Sequence, residues 1–227
     1  MPKALITGAS QGFGRALLAA LVEQEWACVV DARDAGALHA ATTAARCLGS
    51  TTSPGTACTP GIATVAAAGD RLDLLVHNAS ALGPSPLPRL ADYPLDALRR
   101  VYEVDVFAPL ALTQLALPAL RAAPAPTIVA LSSDAAVEAC PGWGGYSSAK
   151  AALDHLAAVL AVEHPNLRVY AFDPGDMRTA MHQAAFPGED ISDRADPAAV
   201  VPALLRLLAE RPDSGRYRAT DLLSTTR

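Results

Sequence analysis

The chain has 227 residues, 51% of them apolar and 18% charged, which supports a sizeable hydrophobic core and excludes a disordered polypeptide. A formal net charge of −5 argues against a nucleic-acid or anionic-membrane surface as partner. Mean hydropathy is positive at +0.22, but no run of about 18 uncharged apolar residues occurs, so no membrane span is expected.

In chain order, Ala4-Leu5-Ile6 reads as a short buried strand, so close to the start that no signal peptide is expected. Gly8 to Gly14 is a glycine-rich turn, and Arg15 to Glu25 is a helix with Leu17, Leu18, Leu21 and Val22 at helical spacing. Ala27-Cys28-Val29-Val30 is a second strand, completing a βαβ unit. Residues 34–48 read as helix, and Gly49 to Gly61, full of breakers, as an irregular loop. Leu72 to Val76 is a strand, followed by a loop containing Pro84, Pro86 and Pro88. Leu95 to Leu120 predicts one long helix ending near Pro118. Thr127 to Leu131 and Leu167 to Phe172 are strands flanking a helix over Tyr146 to Glu163. Residues 176–197 are polar and loop-like, with Gly188 to Asp193 either part of a mobile lid or a plain surface loop. Pro197 to Glu210 is a helix with proline in its first turn, and a last short strand is expected near Tyr217. Alternation of strands and helices along the chain predicts one α/β domain over residues 1–227, a parallel sheet covered on both faces.

Cys28, Cys47, Cys58 and Cys140, and the scattered histidines, lack zinc-ligand spacing. No metal and a reduced, cytoplasmic setting are therefore expected. Two patterns carry chemistry. Thr7-Gly8-Ala9-Ser10-Gln11-Gly12-Phe13-Gly14 lies between a strand and a helix start, where glycines admit a phosphate and free N–H groups meet it. Tyr146-Ser147-Ser148-Ala149-Lys150 puts a phenol and an ammonium on one helix face. A neighbouring cation favours phenolate, so the Tyr146 pKa is expected to fall toward working pH, making a usable acid/base. Lys150 is one of only two lysines in the chain, and Ser133 precedes Tyr146 by thirteen residues at the end of a predicted strand.

Taken together, these motifs resemble the classical short-chain dehydrogenase/reductase family over essentially the whole chain. The family's glycine motif matches Thr7 to Gly14, its NNAG motif matches His77-Asn78-Ala79-Ser80, its Ser/Tyr/Lys set matches Ser133, Tyr146 and Lys150, and its PG motif matches Asp173-Pro174-Gly175-Asp176-Met177-Arg178-Thr179. The resemblance implies a Rossmann-type doubly wound sheet and reversible hydride transfer between a small-molecule alcohol and carbonyl. It also implies that Tyr146 moves the hydroxyl proton, that Lys150 lowers its pKa and holds the nicotinamide ribose, and that Ser133 orients the substrate oxygen. Gly8, Ser10, Gln11, Gly12, Phe13 and Gly14 would line pyrophosphate and ribose, with Asn78 and Ala79 toward the adenosine. Pro174, Gly175, Met177 and Thr179 would meet the nicotinamide.

Three positions depart from the family pattern. Asp105 stands where the family has an Asn that serves a water-borne proton relay; an ionised Asp only accepts hydrogen bonds. His77 replaces the first Asn of NNAG, and Gly49 to Ser53 offers no carboxylate for adenine. Cofactor choice rests on Val30-Asp31-Ala32-Arg33: Arg33 suits the 2′-phosphate of NADP, the favoured cofactor, whereas Asp31 facing the ribose would select NAD. Val104, Phe107, Leu110, Leu153, Leu156 and Leu160 spread apolar surface beyond one stripe on two helices, predicting a homodimer or larger homo-oligomer. Trp143, Met177, Met181 and Phe186 are either substrate-mouth residues or plain packing. The competing readings are a dinucleotide-dependent non-redox enzyme (cyclisation, dehydration or epimerisation) and a degenerate binding protein.

Overall fold

The computed structural model describes residues 1–43, 47–52 and 62–224. Its elements run β1 (Lys3–Thr7), α1 (Gly12–Glu23), β2 (Ala27–Ala32), α2 (Ala35–Thr43), β3 (Cys47–Thr52), α3 (Ile62–Ala68), β4 (Leu74–His77) and α4 (Leu95–Tyr102). They continue α5 (Ala108–Arg121), β5 (Thr127–Leu131), α6 (Gly144–Glu163), β6 (Arg168–Asp173), α7 (Ala180–Ala185), α8 (Pro197–Glu210), β7 (Gly215–Arg218) and α9 (Ala219–Ser224). Among the described residues the strands form one seven-stranded sheet in the order β3-β2-β1-β4-β5-β6-β7. Every pairing is parallel, with Ile6 opposite both Val30 and Val76, and Leu131 opposite Phe172.

Side-chain alternation along the strands builds two cores. Ala4, Ile6, Leu74, Val76 and Val129 face α1 and α8, meeting Leu17, Leu21, Leu204 and Leu207. Leu5, Leu75, Ile128, Ala130 and Val169 point the other way, onto Leu112, Ala116, Leu120 and Leu153 of α5 and α6. Strands buried on both faces need continuous apolar runs, which Ala4-Leu5-Ile6 and Leu74-Leu75-Val76 supply. Helix starts follow local chemistry: Asp34 Oδ1 accepts from the Ala37 amide at 2.9 Å, and Asp196 Oδ1 accepts from the Ala198 amide at 2.9 Å beside Pro197.

The structure departs from sequence expectation at several elements. α2 ends at Thr43, and β3 occupies Cys47–Thr52, where helix and then loop were expected; residues 44–46 and 53–61 of those two segments lie outside the described residues. Cys-Leu-Gly-Ser-Thr-Thr has neither strand alternation nor an apolar run, and pairing with β2 makes it a strand. The expected long helix is continuous from Leu95 to Arg121 but passes through a π-helical turn at Glu103–Phe107. Pro118 sits inside α5 rather than ending it, because Ala116, Ala119 and Leu120 are buried against the second core. At 27 residues this stretch is long and apolar enough to cross a membrane by length and composition, yet its core-facing residues pack on the sheet. The segment 176–197 contains α7, and α9 follows the predicted last strand.

The sheet reverses winding direction between β1 and β4. In open α/β sheets the crevice outside the carboxyl ends of the strands at such a switch binds ligands. The residues following β1, β4, β5 and β6 carry the motifs.

Candidate active site

The glycine turn is tied to the end of β4. Thr7 Oγ1 accepts from the amides of Asn78 and Ala79 at 3.1 and 3.0 Å, and Asn78 Nδ2 donates to the carbonyls of Thr7 and Gly8 at 2.9 and 3.0 Å. A side-chain carbon at Gly14 would lie 2.4 Å from Asn78 Nδ2, and one at Gly8 (φ +67°) would lie 2.8 Å from Ala79 Cα. Both positions must therefore be glycine for the two strand ends to meet. The Asn78 amide is engaged in this tie, so its role here is to shape the turn. The Phe13 ring stacks on Phe172 at 6.0 Å within the core, which leaves only its backbone to face a ligand.

α1 starts at Gly12, earlier than its apolar periodicity suggested. Its first turn has no acidic residue and no side-chain cap, and Gln11 before it is extended and exposed. The first N–H groups are thus open to an anion, the arrangement a pyrophosphate requires. Opposite stands the segment after β6. Asp173 Oδ1 accepts from the Gly175 amide at 3.0 Å, next to Pro174. Met177 bridges to Ala195, and Thr179 caps α7 by accepting from the His182 amide at 3.1 Å. A side-chain carbon at Gly12 would lie 3.5 Å from Thr179 Cγ2, so the glycine turn and the segment after β6 close on one crevice. At the end of β2, Asp31 is buried, whereas Arg33 is exposed just beyond the strand.

Tyr146 and Lys150 lie in the first two turns of α6, both buried. Lys150 Nζ donates to the Leu131 carbonyl at 2.8 Å and lies 5.6 Å from the Tyr146 ring centroid. Ser133 follows β5; its Oγ donates to Asp134 Oδ1 at 2.8 Å and accepts from the Ala135 amide at 3.2 Å. Burial holds the Tyr146 phenol above its ordinary range, and the Asp105 carboxylate adds to this. Lys150 and the hydroxyls of Ser133 and Ser80 pull it down, but burial outweighs them. The expected fall of this pKa is thus corrected: with Lys150 hydrogen-bonded to a carbonyl, desolvation of the phenolate is the larger effect. Tyr146 accordingly stands protonated at neutral pH, ready to donate.

Asp105 occupies the π-helical turn and is fully buried. Its Oδ1 accepts from the Ala81 amide at 2.8 Å, and its Oδ2 has no hydrogen-bond partner among the described residues. Burial raises its pKa against the lowering effects of Lys150, the Ala81 amide and Ser80. Only the protonated form of this carboxyl both donates and accepts, as an Asn does. Tyr93 Oη, also buried and without a hydrogen-bond partner among the described residues, belongs to this neighbourhood. π-turns recur at functional sites.

His77 faces Thr113 Oγ1 at 2.8 Å from its Nε2. Burial, aided by the nearby Lys150 cation, lowers its pKa to about 3 from an ordinary 6.5. The unfolded chain therefore binds a proton that the folded chain refuses between those values, and stability falls as pH drops below about 6.5. The loss should reach about 2 kcal/mol near pH 5. Chemical denaturation of wild type and His77→Asn at pH 7 and pH 5 checks this: the variant should lose less on acidification, and an equal loss would remove His77 as the cause.

Residues 2–190 match the family model described as short chain dehydrogenase. The chain belongs to that family. An Escherichia coli protein named as an uncharacterised oxidoreductase, YciK, is 37% identical over 62% of this chain and 55% of its own length. Rat sepiapterin reductase is 32% identical over 80% of this chain and 76% of its own. Among solved structures, a Shigella flexneri short chain dehydrogenase complexed with NADP superimposes with a TM-score of 0.89 at 27% identity, covering 96% of this chain and 97% of that one. The chain spans 42–55% of the length of the first three curated relatives it matches.

Other residues of this family member's crevice left no sequence signal. Arg216, on β7, donates to the Ser133 carbonyl at 2.9 Å, to Asp173 Oδ2 at 2.8 Å and to Asp154 Oδ2 at 3.2 Å, while Ser132 Oγ donates to Asp154 Oδ2 at 2.7 Å. One guanidinium thus ties the ends of β5 and β6 to α6. Its sequence neighbourhood, Gly-Arg-Tyr-Arg, reads as surface.

Proposed function

We propose that the protein is an oxidoreductase that interconverts a small-molecule carbonyl and a secondary alcohol, preferring NADP(H). The observation that carries this is the convergence of Tyr146, Lys150 and Ser133 on the strand ends beside an uncapped helix terminus. The NADP complex of the Shigella flexneri structure supports the cofactor class. The open N–H groups of α1 and the exposed Arg33 fit such a cofactor.

When bound, the reduced nicotinamide supplies the hydride for the carbonyl carbon. Ser133 Oγ holds the carbonyl oxygen, and Tyr146 gives its proton to that oxygen as charge develops there. The phenol is in its protonated form at neutral pH, which the reducing direction requires. Lys150 stabilises the phenolate left behind, and Asp105 with Ser80 lies close enough to influence its charge. Mixing the protein with NADPH or NADH and a panel of ketones and aldehydes, while following loss of reduced-cofactor absorbance, tests the proposal. Cofactor binding without turnover of any carbonyl would favour a non-redox or binding role.

We also propose that two or more copies associate. Phe107 at 52% exposure, Leu115 at 40%, Val159 at 39% and Val162 at 83% leave apolar surface on the helices Leu95–Arg121 and α6. Of the residues expected to do this, Leu153 instead lies in the core, Leu160 packs partly against it, and Leu156 packs partly against Val101, Val106 and Ala149. Light scattering at micromolar concentration should give at least a dimer mass; a monomer would refute the association.

A further inference from the structure

We infer that the substrate carbonyl is attached to a flat aromatic ring, because a continuous wall of rings runs from the proposed proton donor to the segment facing the glycine turn. The inference rests on the hydride-transfer reading above and specifies its substrate class.

The wall begins at Tyr146. The Trp143 ring meets the Tyr146 ring edge-on, with centroids 5.9 Å apart and planes at 66°. Phe186, immediately after α7, lies 5.8 Å from Trp143, and His182 lies 4.9 Å from Phe186 at an interplanar angle of 38°. The His182 amide donates to Thr179, whose side chain approaches Gly12 across the crevice. The rings therefore form an unbroken succession of contacts leading from the acid/base tyrosine to the residues facing the glycine turn. Trp143 and Phe186 are only partly buried, so they retain surface for a ligand, while the His182 side chain, 10% exposed, backs Phe186.

This wall is held in place by its surroundings. Arg194 Nε donates to His182 Nε2 at 3.4 Å, and Asp176 faces His182 Nδ1 at 3.6 Å. Gln183 Nε2 donates to the carbonyls of Phe186 and Glu189 at 2.9 and 3.0 Å. Ser85 Oγ donates to the Ala184 carbonyl at 2.6 Å, fastening α7 to the loop after β4. A row of rings fixed before binding selects flat, polarisable ligands, because edge and face contacts add to simple burial only when the ligand is itself aromatic.

Acetophenone and its ring-saturated counterpart, cyclohexyl methyl ketone, separate this from general hydrophobicity. Wild-type protein with NADPH should show a KM for acetophenone at least about fivefold below that for the saturated ketone. Calorimetric titration of both ketones into protein without NADPH should show the same order of affinity. Trp143→Leu and Phe186→Leu should each bring the two affinities together; circular dichroism identifies a variant that misfolds, and the other then decides. Equal KM and equal affinity in the wild type overturn the aromatic wall while leaving the hydride-transfer function intact. Preferential aryl binding with no reduction of either ketone, or of any other carbonyl, keeps the wall and overturns hydride transfer.

Discussion

Tyr146→Phe is expected to lower carbonyl-reducing turnover by about a hundredfold or more, the lower range for a positioned acid/base. The substitution removes one hydroxyl and keeps the ring, so the edge contact with Trp143 and the packing over Lys150 survive. Cofactor affinity should stay within about twofold, because the phosphate-facing surface of α1 is untouched. Lys150→Met makes the contrast. It removes the cation that opposes burial at the phenol and also leaves the Leu131 carbonyl without its donor. Turnover and cofactor affinity should then fall together, since the ammonium is proposed both to stabilise phenolate and to hold ribose. Steady-state kinetics with cofactor dissociation constants for the two variants separate these outcomes. Unchanged turnover in Tyr146→Phe would remove the phenol from the mechanism.

Arg33→Ala should cost NADPH affinity by about ten- to a hundredfold and leave NADH nearly unaffected. A guanidinium can meet a 2′-phosphate with paired, charge-assisted hydrogen bonds worth roughly 1.5–3 kcal/mol, which corresponds to that range. The geometry bears on the choice between the two candidate selectors. Asp31 is buried within β2, its backbone carbonyl accepting from the Ala9 amide at 3.2 Å, whereas Arg33 stands exposed beyond the strand end. Dissociation constants of both reduced cofactors for wild type and variant test the assignment. Tighter NADH than NADPH in the wild type, with no response to Arg33→Ala, would make Asp31 the selector.

Much of the architecture was legible before the structure because its determinants are local. Thr127-Ile128-Val129-Ala130-Leu131 reads as a strand from its own residues and is one in the sheet, and Pro197 to Glu210 carries its own cap, proline and apolar face. Tyr146 and Lys150 share a helix face because four residues make about one turn, so their pairing needs no other part of the chain. The glycine turn follows from its place between a strand and a helix. β3 was not legible, since its residues lack a pattern and only the neighbouring β2 makes them a strand. Nor was the π-turn around Asp105, where the periodicity of a long apolar helix conceals one inserted residue.

The identity of the motifs was thus set by the order of residues, and the energetics of the site by tertiary structure. Spacing alone placed a cation beside a phenol and implied a lowered pKa; burial by distant elements reverses the direction. The raised pKa of Asp105, the depressed pKa of His77, the Arg216 tie and the Trp143–Phe186–His182 wall share one cause. Each sums contributions from residues tens of positions apart, whose meeting depends on sheet order and helix packing. Periodicity and motif spacing report what a segment does with its own neighbours; desolvation and cross-element contact exist only once the whole chain has closed around the site.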